Sequence, residues 1–263
     1  MANELRALIL GDVVGSPGSR ALFFGLKKLI KEHRADLVIV NGENAAAGFG
    51  MMPEDVERLF SAGADVITSG NHIWQKKEIL DFLDSQEFLL RPANYPPGVP
   101  GHGQCIIEKK KQKIAVFNML GRSRMGFNGF CPFQAMKKMV QKVQGQADIT
   151  ILDFHAEDPL EKEALALHMD GQLSLLFGTH THIQTADERI LPGGTAYISD
   201  IGMVGPVGSV IGADPQQSIR RSLSQLPIKM DVIDNQALIC GIVVDFLDGK
   251  AVSISRIRQL SPA

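Results

Sequence analysis

The chain has little cysteine: Cys105, Cys131 and Cys240 are the only three in 263 residues. Their odd number and wide spacing argue against a disulfide framework and against a thiolate metal site, so a reducing cytoplasm is the expected setting. Long apolar runs are missing too. None approaches the ~18 residues of a membrane span, and Met1-Ala2-Asn3-Glu4 lacks the basic and apolar regions of a signal peptide. Nor is there an excess of charge of one sign. A net charge of -2 predicts no broad binding to nucleic acid, though it leaves room for a small phosphorylated ligand. The stretch Gly11-Asp12-Val13-Val14-Gly15-Ser16-Pro17-Gly18 lacks the Lys-Ser/Thr ending of a Walker loop. It also fails the G-x-G-x-x-G spacing, so both nucleotide motifs drop out. No internal repeat and no flexible linker appear, which predicts a single domain over residues 1–263.

What is present is ordinary globular composition, 44% hydrophobic and 21% charged, arranged in alternating strand-like and helix-like runs. Strand Leu5–Leu10 precedes a helix near Ser19–His33. Strand Leu37–Asn41 precedes a helix from Pro53 to about Ser61, and strand Asp65–Ser69 a helix near Lys76–Asp84. Gly103–Glu108 and Lys113–Asn118 read as a hairpin. Helix Phe133–Gln144, strand Ile149–Phe154, helix Pro159–His168 and strand Leu173–Phe177 resume the alternation. The tail (196–198, 228–233, 236–247 and 251–260) reads as β throughout. This pattern predicts an α/β fold, a layered sandwich of mixed β-sheets flanked by helices.

Five apolar runs each end in a metal-type donor. Asp12 follows the first, Glu43 and Asn44 the second, Asn71 the third and His155 the fourth, while His180 and His182 follow the fifth. The C-terminal rims of strands are where α/β sheets place their ligand sites. Taken singly, each residue has an ordinary explanation: a turn aspartate, a turn asparagine, a core histidine, a solvated loop glutamate. Their coincidence is harder to explain that way. His180 and His182, two apart in an extended segment, would present both rings to one side. Carboxylates, a carboxamide and imidazoles without thiolate suit Mn, Fe, Zn or Ni. A pair of cations also needs a bridging anion, for which Glu43 is the best placed. His72, next to Asn71, should reach the substrate side and serve as proton donor to the leaving oxygen; its ordinary alternative is a structural histidine. Asp187 and Asp200 are either orienting acids or loop acids. His33, His102 and His168 have ordinary positions at helix ends and in a Pro/Gly loop. The segment Gly121–Pro132 holds two arginines and two phenylalanines, and either covers a nucleotide or packs on itself or on an oligomer partner.

Together Gly11-Asp12, Gly70-Asn71-His72, His155 and Gly178-x-His180-x-His182 resemble the calcineurin-like metallophosphoesterases. That family's usual histidine after the first aspartate is Val14 here, and Asn41-Gly42-Glu43-Asn44 stands in place of its second Gly-Asp motif. Those departures, with Arg91-Pro92-Ala93-Asn94 and Asp153-Phe154-His155-Ala156-Glu157, resemble the bacterial YmdB-like branch. Gln75 and the run Leu167–Gln172 depart from that branch without touching the donors.

The resemblance implies two mixed sheets between helices and two metal ions per chain, iron or manganese, with zinc as an alternative. One ion would take Asp12, Glu43, Asn44 and His182; the other would take Glu43, Asn71, His155 and His180. Asn44 either ligates or contacts substrate. The implied activity is hydrolysis of phosphodiesters such as 2′,3′- or 3′,5′-cyclic nucleotides by a hydroxide held between the metals. A homo-oligomer is the implied assembly. A phosphomonoesterase or nucleotidase, and a regulatory protein sensing a cyclic nucleotide, are the competing expectations.

Overall fold

Most strands of this protein are buried on both faces because each sheet is covered twice; the strand over 250–260 is largely exposed. The computed structural model describes residues 3–262, so the sequence reading of Met1 and Ala2 lies outside the described residues. The chain runs through β1 (Glu4–Leu10), β2 (Asp12–Val13), α1 (Gly15–His33), β3 (Leu37–Asn41), α2 (Pro53–Ala62) and β4 (Val66–Thr68). A 3-10 turn (Lys77–Ile79) leads into the single-turn α3 (Leu80–Leu83), then β5 (Gln104–Lys109) and β6 (Gln112–Leu120). Next come α4 (Pro132–Val143), β7 (Ile149–His155), α5 (Pro159–His168) and β8 (Leu175–Thr179). The last third holds β9 (Arg189–Ile190), β10 (Ala196–Ile198), β11 (Met203–Pro206), α6 (Pro215–Ser224), β12 (Ala237–Leu247) and β13 (Lys250–Leu260).

These strands form two mixed sheets. The first has the order β2-β11-β12-β1-β3-β4, with β13 also on β12; the second has the order β5-β6-β7-β8-β10-β9. Strands β1, β3 and β4 run parallel, and β12 is antiparallel to β1. In the second sheet β6, β7, β8 and β10 are parallel, with β5 and β9 as antiparallel edges. Alternation along β1 shows how the layers share residues. Ala7 and Ile9 join Ile151, Leu175 and Phe177 in the core between the sheets. Leu8 and Leu10 face Leu22, Leu26 and Leu29 of α1 on the outside. The other outer face packs Phe117, Leu152 and Phe154 against Met136 of α4 and Leu165 of α5. Burying a side chain of this size contributes roughly 1.5–3 kcal/mol, so these three layers hold the sandwich together.

Three sequence expectations change. Helix α1 begins at Gly15, not near Ser19, because Gly15 takes the left-handed turn at φ 61°. Pro17 costs nothing there, since first-turn amides have no helical acceptor. The helix expected over 76–84 is a 3-10 turn and one α turn. The tail is not wholly β: Asp214 caps α6 by accepting from the Gln217 amide at 2.9 Å, with Pro215 in the first turn. Residues 228–233 form no strand, because their backbone partners are loop residues. Asp214 N–H donates to the Asp231 carbonyl and Ile233 N–H to the Gly212 carbonyl. Among the described residues, no helix is long and apolar enough to cross a membrane.

Candidate metal centre and its cavity

The C-terminal ends of β1, β3, β4, β7 and β8 meet at one seam between the two sheets. Asp12, Glu43 and Asn71 come from the first sheet, and His155, His180 and His182 from the second. All seven donors expected from the sequence are brought together. Asp12, Glu43 and His155 are fully buried and Asn44 nearly so. The approach is close enough that a Cβ on Gly70 would fall 1.9 Å from Glu43 Oε2 and 2.3 Å from His155 Nε2.

Contacts among the donors fall into two groups. In the first, His155 Nε2 lies 3.2 Å from Asn71 Oδ1, 3.4 Å from Glu43 Oε1 and 3.0 Å from His180 Nδ1. In the second, His182 Nε2 lies 3.1 Å from Asn44 Nδ2 and 3.9 Å from Asp12 Oδ1. The backbone also binds in: Asp12 Oδ2 accepts from His180 N–H at 3.1 Å, and Glu43 Oε1 from His72 N–H at 2.9 Å. His180 and His182 do not lie in an extended segment as expected. Strand β8 stops at Thr179, and both histidines take left-handed backbone, φ 103° and 65°. That conformation costs on the order of 1–3 kcal/mol for each non-glycine residue. It turns the rings onto separate neighbours instead of one shared side.

Two of the imidazoles, His155 and His182, have a fixed tautomer. Thr179 Oγ1–H donates to Asp153 Oδ1 at 2.7 Å, so the same oxygen accepts from His155 Nδ1–H at 2.9 Å. Asp153 also accepts from Thr68 and from Asn41 Nδ2, and burial pushes its carboxyl up to about 7. His182 Nδ1–H donates to the Ile211 carbonyl at 2.8 Å. Both Nε2 atoms therefore face the centre unprotonated, that of His182 accepting from Asn44 Nδ2–H and that of His155 standing 3.0 Å from His180 Nδ1. Burial drives the His155 imidazole down to about 4. Burial, followed by the adjacent His155 and His182, lowers His180 strongly. The carboxylates respond the opposite way: burial raises Asp12, and pushes Glu43 up to about 7.

The donor set fits a cation. Asp12 Oδ1 and Glu43 Oε2 are buried without any hydrogen-bond partner, an arrangement that costs several kcal/mol unless a positive charge answers it. The His155 lone pair faces two oxygens that are themselves acceptors. Among the described residues no three His, Cys, Asp or Glu side chains already form a coordination cluster; the donors rest on one another, with Asn44 and Asn71 supplying part of each set. Asp12, Asn44 and His182 would hold one ion, and Asn71, His155 and His180 the other, with Glu43 between them.

His72 lies outside this ring but against it. Its Nδ1 is 2.7 Å from Asn44 Oδ1 and 3.2 Å from Glu43 Oε1. The side chain lines a cavity of about 550 Å³ together with Asn44, His180 and His182. Asp187 and Asp200 touch no imidazole. Asp187 binds Thr185 and Ser199. Asp200 binds Lys162 Nζ at 2.9 Å, the Thr181 amide at 3.1 Å and the Gly202 amide at 2.9 Å. The loop 121–131 is anchored on the rest of the protein: Glu161 of α5 accepts from the Arg122 and Ser123 amides, and Phe127 stacks edge-on against Tyr95 at 4.7 Å. None of its residues lines the cavity beside the imidazoles. His33, His102 and His168 stay away from the centre; His168 sits against Phe133.

Sequence reasoning missed Asp153, Thr179 and Lys162. A signal existed for the first, since Asp153 is an acid inside the apolar run Ile149–Phe154, two residues before His155 on the same strand face.

Comparison with known proteins agrees with this fold. Residues 8–257 match a family model described as YmdB-like protein. A 2′,3′-cyclic-nucleotide 2′-phosphodiesterase from Bacillus subtilis (strain 168) is 42% identical over 255 residues, 96% of each chain. The crystal structure of a novel phosphatase from Mycoplasma pneumoniae superposes with a TM-score of 0.93 at 38% identity, covering 99% of this chain and 95% of that one. The crystal structure of a hypothetical protein from Thermus thermophilus gives a TM-score of 0.92 at 37% identity, covering 98% of this chain and 100% of that one.

Proposed function

Because the chain belongs to the YmdB-like family, we propose that it is a metal-dependent phosphodiesterase acting on small cyclic phosphodiesters, 2′,3′-cyclic nucleotides foremost. The observation that carries this reading is the pair of unpartnered buried oxygens, Asp12 Oδ1 and Glu43 Oε2, within a ring of imidazoles and carboxamides. Two cations bound there would supply charge stabilisation for phosphate oxygens and acidify water.

The chain's own residues do the rest. Asn44 stands between His182 and His72, with its Nδ2 toward one and its Oδ1 toward the other. This fixes His72 with Nδ1–H pointing at Asn44 Oδ1 and Glu43 Oε1. With Nδ1–H committed to those two acceptors, Nε2 is the nitrogen left to pass a proton to the departing alkoxide. For a 2′,3′-cyclic nucleotide, phosphorus would gain an oxygen from water as its bond to O2′ breaks, and O2′ would leave with the His72 proton, giving the 3′-monophosphate. Glu157 lies 3.3 Å from His180 Nε2 and holds that ring from the solvent side.

The test is to strip the protein with chelator, restore Mn²⁺ and follow opening of a 2′,3′-cyclic nucleotide beside an Asn71→Ala control. Metal-dependent turnover that the variant lacks supports the reading; its absence with metal bound overturns it. The similarity to a protein described as a phosphatase supports a second reading, phosphomonoester hydrolysis. Parallel assays on a 3′-monophosphate and a 2′,3′-cyclic phosphate separate the two.

A further inference from the structure

The cavity beside the imidazoles is much wider than a phosphate needs. Its about 550 Å³ lies within the range that holds a small organic ligand. Away from the metal-type donors its walls are largely apolar, with Phe49, Ile183, Val210, Ile211 and Met230. Phe49, Ile183 and Ile211 are 46%, 64% and 52% exposed, so the protein leaves these side chains uncovered around its reactive centre. Concentrated apolar exposure of this kind marks a binding surface.

Phe49 is held there by unusual backbone. Ala47, Gly48 and Gly50 on either side take positive φ values of 54°, 89° and 78°. A Cβ on Gly48 would strike Val232 at 2.7 Å, so the loop turns where a side chain would not fit. Its product is a half-exposed aromatic ring 5.0 Å from the His72 ring, centroid to centroid. A flat group resting on Phe49 is therefore next to the proton donor assigned above. Three polar side chains on that wall are poorly placed for reading an edge. Ser218 Oγ is engaged with the Asp214 carbonyl, and Arg221 and Ser222 are exposed to competing water.

We propose that this cavity is the seat of the substrate's nucleobase, held on Phe49 among Ile183, Ile211 and Met230 by apolar contact, so that purines and pyrimidines are treated nearly alike. The proposal rests on the phosphodiesterase reading. Stacking on an aromatic ring is tolerant of base identity, because every base has a π-face. Arg221 makes no ion pair among the described residues and adds attraction for an anionic substrate at the mouth.

The experiment compares kcat/KM for 2′,3′-cyclic AMP, 2′,3′-cyclic CMP and glycerol 1,2-cyclic phosphate, which has the same strained ring without a base. In Phe49→Ala the nucleotide-to-glycerol ratio should fall by about tenfold or more, chiefly through KM, whereas Phe49→Tyr should keep it. An unchanged ratio would overturn the proposal. Ile183→Ser, at an exposed position outside the core, should move the ratio the same way and covers the case of a Phe49 variant that does not fold. Adenine and cytosine substrates should agree within about tenfold; discrimination near 10⁴, the size hydrogen-bonding pockets reach, would show that the edge is read. If the wild type opens none of the three esters, the phosphodiesterase reading fails by itself. Calorimetric binding of 3′-AMP then still decides: weaker binding by Phe49→Ala supports the base seat, and equal binding overturns it.

Discussion

Lys162 Nζ lies 2.9 Å from Asp200 Oδ2, and both side chains are 1% exposed. The same ammonium donates to the Thr179 carbonyl at 2.9 Å, while Asp200 accepts from the Thr181 amide. The pair thus grips the backbone on both sides of His180 and holds its left-handed turn. Lys162→Met should cost about 3–5 kcal/mol, since it strands a buried carboxylate. Lys162→Met with Asp200→Leu should recover much of that stability but not the metal occupancy of the wild type. Urea midpoints and metal stoichiometry on the two variants check this; full occupancy in the double variant would contradict it.

The hydrogen bond from His155 to Thr179 orients a donor nitrogen, and Thr179→Val removes only the oxygen. Metal affinity should drop by about 10–100-fold, the usual effect of losing a ligand's outer partner. Titration of the stripped protein with Mn²⁺ measures it.

Because the donors come from both sheets, a bound ion joins the two halves of the sandwich. Chelator should lower the melting temperature, and added Mn²⁺ should raise stability by about 2.7 kcal/mol at a hundred times Kd. Asn71→Ala should blunt the response. A melting curve indifferent to metal would remove the centre from this seam.

His72→Ala should leave metal content intact and reduce turnover by about 10²–10⁴. The loss should be greatest for alkoxide leaving groups and small for p-nitrophenolate, which departs without a proton. A uniform loss across leaving groups would refute the proton-donor role.

Far from the centre, the hydrogen bond from Arg6 Nε to Asp245 at 2.6 Å holds that carboxyl below its usual range. A depressed carboxylate stabilises the fold above the ordinary value near ~3.9 and loses that contribution as pH falls toward the folded value. The pair is about one-third exposed, so screening limits it to under about 1 kcal/mol. Asp245→Asn should flatten the acid limb of the stability curve by no more than that.

The strands and their rims are legible in the sequence because each run is apolar on both faces and stops at a donor, as Leu37–Asn41 does before Glu43 and Asn44. A signal for the start of α6 stands at Asp214-Pro215, yet the tail reads as β. The face of the helix is not legible, since α6 has no buried residue and Ile219 and Leu223 alone make a thin stripe. The turn at His180 and His182 reads as extended because periodicity knows nothing of tertiary grip: Asp200 and Lys162, from other elements, impose the left-handed backbone. Thr179 is hidden for a related reason. A threonine at a strand end looks ordinary until Asp153 and His155 are seen on either side of it.

Strand β12 lies between β1 and β11, so the strand leading to Asp12 keeps one bare edge until residues 237–247 arrive. During synthesis at ~5–20 residues per second, that edge waits for many seconds as a template for stray pairing. The nascent chain can make its β6–β8 sheet early, but the Asp12 side of the seam closes only once β12 has been made. Competence is thus a late event in the life of each molecule. A ribosome stalled before β12 yields a product with every donor residue in its sequence and the strand before Asp12 still unpaired on one edge.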